Sequence, residues 1–268
     1  MGKNILGLLI VVTVLLSKVH AQNDVSAVAK SKANSFVGEN KAVVKGRFIT
    51  VKDPGGLEFR SFVAGPEDSR VGILITHDFF GITPATQGAV EQLGALGYRT
   101  IAVDLYKGKS ATTNDSASSL LRSKDSAETA HILQAGINYL KKPGRKLVAI
   151  GFSAGGIDAM NATLMEPELF GATIIVYGGG YDKIEHSRLA KLNNPVLAIT
   201  GSLDEWPYQA GINFLANEKD KSFEFFVYPK AGHAYAQPLF NGGKNYDAEA
   251  TRITWMLMKD FISQNTMK

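Results

Sequence analysis

The residues Gly151-Phe152-Ser153-Ala154-Gly155-Gly156 set a serine between glycines, directly after the apolar run Leu147–Ile150 and directly before a helical stretch. This is G-x-S-x-G in a strand–turn–helix context, where the serine oxygen is held exposed on a strained bend. The competing reading is a serine that caps the helix after it. A serine hydroxyl is a weak nucleophile unless a base takes its proton and a third group orients that base. With a nucleophile on such a turn, the chain order is serine, acid, histidine. Two histidines lie downstream of Ser153, namely His186 and His233. His233 sits in Ala231-Gly232-His233-Ala234, just after the apolar run Phe223–Tyr228, and is the better base. His186 lies in the polar stretch Lys183–Arg188 and reads as a solvated surface residue. The acid should follow the run before that of His233. Val196–Thr200 leads into Gly201-Ser202-Leu203-Asp204, which favours Asp204. Glu205 and Asp182 are the rivals, and an N-cap role for Asp204 is the alternative. Two backbone N–H groups are needed for the oxyanion of acyl transfer. Ala154, after the nucleophile, and Phe79, in the loop after Val71–Thr76, are the candidates.

These residues need a frame that brings them to one edge. Arg47–Val51 and Leu57–Val63 alternate around Asp53-Pro54-Gly55-Gly56, the pattern of an antiparallel hairpin. Short apolar runs follow at Val71–Thr76, Thr100–Val103, Leu147–Ile150, Thr173–Tyr177, Val196–Thr200 and Phe223–Tyr228. Near-continuous Val, Ile and Leu is how parallel strands buried on both faces read. Helical stretches alternate with them near 84–96, 116–141, 154–165, 206–217 and 247–263. The expectation is an α/β fold: a doubly wound, mostly parallel sheet with an N-terminal antiparallel hairpin. In such sheets ligands sit at the carboxyl ends of the strands, where the candidates above fall. Phe79, Phe80, Trp206, Tyr208 and Tyr235 are candidates for an apolar pocket wall or for core.

The chain has 268 residues and no cysteine, with 29 Lys and Arg against 25 Asp and Glu. Disulfides, thiolate metal sites and a cysteine nucleophile are thereby excluded. Lys3, the apolar run Ile5–Leu16 and Val19-His20-Ala21 form a signal-peptide pattern with a cut before Gln22. The run is short for a bilayer span. Removing residues 1–21 takes Lys3 and Lys18 away and leaves 27 basic against 25 acidic residues. No basic block remains, so a nucleic-acid partner is not expected. Export to a periplasm or the medium is expected, with no membrane span after cleavage. Residues 22–45, rich in Ala, Ser, Asn and Lys, read as a flexible tail before a single domain over 46–268. H-E-x-x-H, P-loop and G-x-G-x-x-G patterns are missing, so no metal or cofactor is expected. Gly178-Gly179-Gly180 reads as a loop beside the site.

Taken as a set, the motifs resemble the dienelactone hydrolase (carboxymethylenebutenolidase) family of the α/β-hydrolase superfamily. The likeness runs from about Gly72 to Phe261. It is carried by His77-Asp78-Phe79-Phe80-Gly81, Val103-Asp104-Leu105-Tyr106, the turn at Ser153, Gly201-Ser202-Leu203-Asp204 and Ala231-Gly232-His233-Ala234. The resemblance implies an α/β-hydrolase fold and a small-molecule ester or lactone substrate. It also brings Asp78 and Gln237 into a possible substrate pocket, beside Phe80, Trp206 and Tyr235. Three positions depart from the family pattern: Ser153 stands for a cysteine, Asp78 for a glutamate, and Gln237 for an arginine that grips a substrate carboxylate. Without that arginine a bidentate carboxylate contact is lost. An ester or lactone lacking the carboxylate is therefore expected. Two alternatives stay open: an exported binding protein that keeps the pocket without turnover, and the same triad used for acyl transfer or peptide cleavage.

Overall fold

A computed structural model of the chain describes residues 44–237 and 243–266. The signal-peptide segment and residues 22–43 of the expected tail lie outside them. Val44, in the described end of the tail, packs on the core, and the Gly46 N–H, at the start of the domain, donates to Glu91 at 2.8 Å.

Eight strands form one sheet: β1 (Arg47–Lys52), β2 (Glu58–Ala64), β3 (Val71–Thr76), β4 (Arg99–Val103), β5 (Lys146–Phe152), β6 (Phe170–Val176), β7 (Val196–Gly201) and β8 (Phe223–Tyr228). Their spatial order is β1-β2-β4-β3-β5-β6-β7-β8. The expected hairpin is present, with Arg47 opposite Val63 and Val51 opposite Phe59. β2 meets β4 antiparallel, and every pairing from β4 to β8 is parallel. The helices are α1 (Pro84–Ala95), α2 (Asn114–Arg122), α3 (Ser126–Leu140), α4 (Gly156–Met165), the single turn α5 (His186–Leu189), α6 (Glu205–Asn217) and α7 (Ala248–Thr266).

Strand periodicity divides the core. Ile73 and Ile75 face a cluster with Val90 and Leu93 of α1 and Met258 and Phe261 of α7. Leu74, between them, faces Ile132, Leu133 and Ile137 of α3 on the other side. All six residues of β3 and all five of β4 are buried. Burial on both faces explains why these strands read as unbroken apolar runs. This order and winding make the α/β-hydrolase fold.

The helix expected over 116–141 differs from the sequence reading, as do the added turn α5 and the earlier start of β6 at Phe170. The stretch 116–141 is two helices, not one. Ser123 closes α2, its hydroxyl donating to the Leu120 carbonyl at 2.8 Å. Asp125 then opens α3 by accepting the Glu128 N–H at 2.8 Å. A side-chain cap satisfies the N–H groups that a helix start leaves open, so Asp125 favours a new start over continuation. Lys124, at the break, donates to the buried Asp158 at 2.6 Å.

Candidate active site

The turn after β5 is tight because glycines permit it. A Cβ on Gly151 would stand 2.5 Å from the Gly155 carbonyl oxygen. One on Gly155 would stand 2.4 Å from the Thr76 oxygen and 2.5 Å from the His77 oxygen. Ser153 is left with φ +50°, in the left-handed region that ordinary residues avoid. Such strain persists only where surrounding contacts fix it. Here the Thr76 hydroxyl donates to the Gly155 carbonyl at 2.8 Å and ties the turn to the end of β3.

Ser153 Oγ lies 2.9 Å from His233 Nε2, and His233 Nδ1 lies 2.7 Å from Asp204 Oδ2. A carboxylate only accepts, so Nδ1 carries the proton and the unprotonated Nε2 accepts from the serine. Asp204 is buried and stands at the N-cap position of α6, yet caps nothing with its side chain. Glu205 is exposed. Asp182 instead accepts from Asn213 at 2.8 Å. His186 is exposed and meets Glu218. The three residues singled out by chain order thus come together, and their rivals do not.

The histidine loop is held from several sides. The Leu203 N–H donates to the Ala231 carbonyl at 3.0 Å, and the Lys230 N–H to the Ser202 hydroxyl at 2.9 Å. Asn245 donates to the His233 carbonyl at 2.9 Å. The Tyr177 ring meets the His233 ring edge-on with centroids 5.8 Å apart. Burial and the nearby Asp78 charge push the Tyr177 hydroxyl well above its ordinary pKa. Neither Asn245 nor Tyr177 belongs to a motif, and only the folded chain brings them to His233.

The loop after β3 is built around His77 and Asp78. His77 Nδ1–H donates to the Asp78 carbonyl at 2.7 Å, and its Nε2 accepts the Leu105 N–H at 3.1 Å. Burial holds the ring below the usual histidine pKa against the pull of nearby carboxylates. His77 therefore stays neutral and joins the ends of β3 and β4. Asp78 Oδ1 accepts the Phe80 N–H at 2.9 Å, which bends the chain around Phe79. Among the described residues no acceptor meets the Phe79 N–H.

Asp78 Oδ2 accepts from Gln237 Nε2 at 2.9 Å, so the two residues expected at the pocket are in direct contact. Both line a cavity of about 250 Å³ that reaches Phe152 and Tyr177. Tyr235, expected at the pocket, is instead core. Its ring is fully buried beside Tyr177 and Tyr228, and its hydroxyl bonds Thr254 Oγ1 at 2.6 Å. Phe80 is half-buried against Phe79, outside that cavity's wall. Trp206 is half exposed, its ring 6.3 Å from that of His233 and close against Gly179. Tyr208 packs on Phe225 at the surface.

Comparison with known proteins identifies the family of the chain. A Saccharolobus solfataricus protein provisionally named a carboxymethylenebutenolidase is 24% identical over 254 residues, covering 78% of this chain and 95% of its own. Carboxymethylenebutenolidase 1 of Cupriavidus pinatubonensis is 23% identical over 220 residues, covering 76% and 91%. A dienelactone hydrolase-like promiscuous phosphotriesterase from metagenomic libraries superposes with a TM-score of 0.71 at 20% identity, covering 84% and 99%. The family model of the dienelactone hydrolases matches residues 59–266, from β2 to the end of α7, and the chain belongs to that family.

Proposed function

We propose that the protein is a serine hydrolase that cleaves a carboxylic ester or lactone through an acyl-enzyme. Membership of a family of ester-bond hydrolases supports the reaction class. The observation that carries the finer reading is the continuous relay from Ser153 through His233 to Asp204, at 2.9 and 2.7 Å.

Ser153 Oγ attacks the ester carbonyl carbon while its proton passes to His233 Nε2. Asp204 holds the imidazole in the tautomer that leaves Nε2 unprotonated and stabilises the imidazolium that forms. The Ala154 and Phe79 N–H groups receive the carbonyl oxygen as it gains charge. Collapse expels the alkoxide, which takes the proton from His233 and leaves as the alcohol. Water then gives a proton to His233 and its oxygen to the acyl carbon. Ser153 departs with that proton, and the acid is released.

The test is a panel of esters and lactones of graded acyl length, run with wild type and Ser153→Ala. Turnover that falls roughly 10⁴-fold or more on substitution supports the reading. Turnover that Ser153→Ala retains contradicts it. We propose also that the chain is exported, on the strength of the pattern over residues 1–21. A mature chain that begins at Gln22 by N-terminal sequencing supports this, and a retained Met1 in the purified protein contradicts it.

A further inference from the structure

The indole of Trp206 is held beside the relay yet half open to solvent. Trp206 stands in the first turn of α6, two residues after Asp204. Two rings meet that of His233: Tyr177 at 5.8 Å between centroids and Trp206 at 6.3 Å. Tyr177 is buried, whereas Trp206 is 50% exposed. Of the two, Trp206 alone offers surface to a ligand.

The loop after β6 sets the indole close to the nucleophile as well. A Cβ on Gly178 would stand 2.7 Å from the Ser153 carbonyl oxygen, and one on Gly179 would stand 2.6 Å from Trp206 Cε2. Two adjacent glycines thus touch the backbone of the nucleophile and the indole, an approach that larger residues would block. Ser153, His233 and Trp206 therefore lie around one short stretch of loop. A large ring kept in water at this place gains by being covered, and an aromatic partner adds its own geometric preference.

The chemistry says which part of the substrate comes nearest. His233 Nε2 takes the serine proton and returns it to the departing alkoxide, so the alcohol part leaves on the His233 side while the acyl part stays on Ser153. We infer that Trp206 is a specificity-determining residue whose exposed indole receives a flat apolar group, such as a benzyl ring, on the alcohol part of the ester. The inference rests on the proposed hydrolase reading and names the alcohol class for the same site. Gly179 leaves room for the indole.

The test compares ethyl acetate, benzyl acetate and ethyl phenylacetate as substrates of wild type, Trp206→Ala, Trp206→Phe and Gly179→Ala. Ethyl and benzyl alkoxides leave with similar ease, so the benzyl-to-ethyl ratio of the acetates reports contact with the alcohol part. Wild type should favour benzyl acetate by about 10-fold in kcat/KM, the worth of one aromatic contact and the area it covers. Trp206→Ala should bring that ratio to about one, and Trp206→Phe should keep most of it. Gly179→Ala retains the indole but pushes it aside, and should lower the ratio as well. The phenylacetate-to-acetate ratio of the ethyl esters should stay at its wild-type value in Trp206→Ala. If one variant fails to fold, the others carry the comparison. Ester turnover with no benzyl preference, or a preference that survives Trp206→Ala, overturns the role of Trp206 and leaves the hydrolase reading intact. A fall in the phenylacetate ratio instead of the benzyl ratio places the indole on the acyl side and overturns it too. A wild type inactive on all three esters overturns the hydrolase reading, and the role of Trp206 with it.

Discussion

The Thr76 hydroxyl donates to the Gly155 carbonyl at 2.8 Å, across 79 positions of sequence. This bond joins the end of β3, which leads to one proposed oxyanion donor, to the turn that supplies the other. Thr76→Val keeps the side-chain shape and removes the bond. We expect a loss of about 1–2 kcal/mol in stability, the usual range for a buried hydrogen bond. Urea unfolding measures that loss. We also expect a fall of roughly 10-fold in kcat, because a small displacement of the donors weakens their hold on the transition state.

Gly155→Ala should act harder on the same junction. Its methyl group would meet two backbone oxygens, at 2.4 and 2.5 Å, and neither can swing aside as a flexible side chain would. The β3 loop and the turn must then separate. The expected cost is about 1–3 kcal/mol of overpacking, with kcat down at least ~100-fold. A melting curve and ester kinetics on the purified variant check both. Wild-type kinetics in Gly155→Ala would show that the close approach does not matter to the site.

Asp204→Asn tests the third member of the relay. The amide can present Nδ2 to His233 Nδ1 and so favour the wrong tautomer, leaving Nε2 protonated and unable to accept from Ser153. The expected fall in kcat is about 10⁴-fold with little change in KM, as tautomer loss in such triads causes. Glu205→Gln, one residue on and exposed, should change kcat less than about 2-fold.

His77 sets a pH dependence of stability. Its pKa is held below the unfolded value of about 6.5 by burial, so the unfolded chain binds more protons than the folded one below that pH. Its contribution is complete above about pH 6.5 and is lost as pH falls toward the lowered folded pKa. His77→Gln should flatten this part of the stability–pH curve. It should also lower stability at pH 7.5 by about 1–3 kcal/mol, because the Asp78 carbonyl and Leu105 N–H lose a well-placed partner. Denaturant midpoints from pH 5 to 8 read out both effects.

The elements were largely legible in the sequence because β3 to β7 are buried on both faces and their composition says so. The bounds expected for β3 and β8 coincide with those observed. The break at Ser123–Asp125 was not legible. A cap depends on which way one side chain turns, and the apolar period runs through it. That Ser153, Asp204 and His233 converge was legible because each follows a strand in a fixed chain order. The work of His77, Tyr177 and Asn245 was not. Their partners lie on other elements, so no local pattern marks them. The contact between Asp78 and Gln237 spans 159 positions and shows the same limit. Tyr235 is ambiguous for a related reason: an aromatic near a candidate base histidine reads alike whether it faces the pocket or, as here, Thr254.

The proposed mechanism requires a covalent bond at one oxygen, Ser153 Oγ. The decisive measurement is intact-mass and peptide mass spectrometry after treatment with an alkyl fluorophosphonate, on wild type and Ser153→Ala in parallel. We expect one adduct per chain, located on Ser153, with activity lost in proportion to labelling, and no adduct on the variant. An unlabelled, folded wild type, or an adduct that persists in Ser153→Ala, would contradict the mechanism.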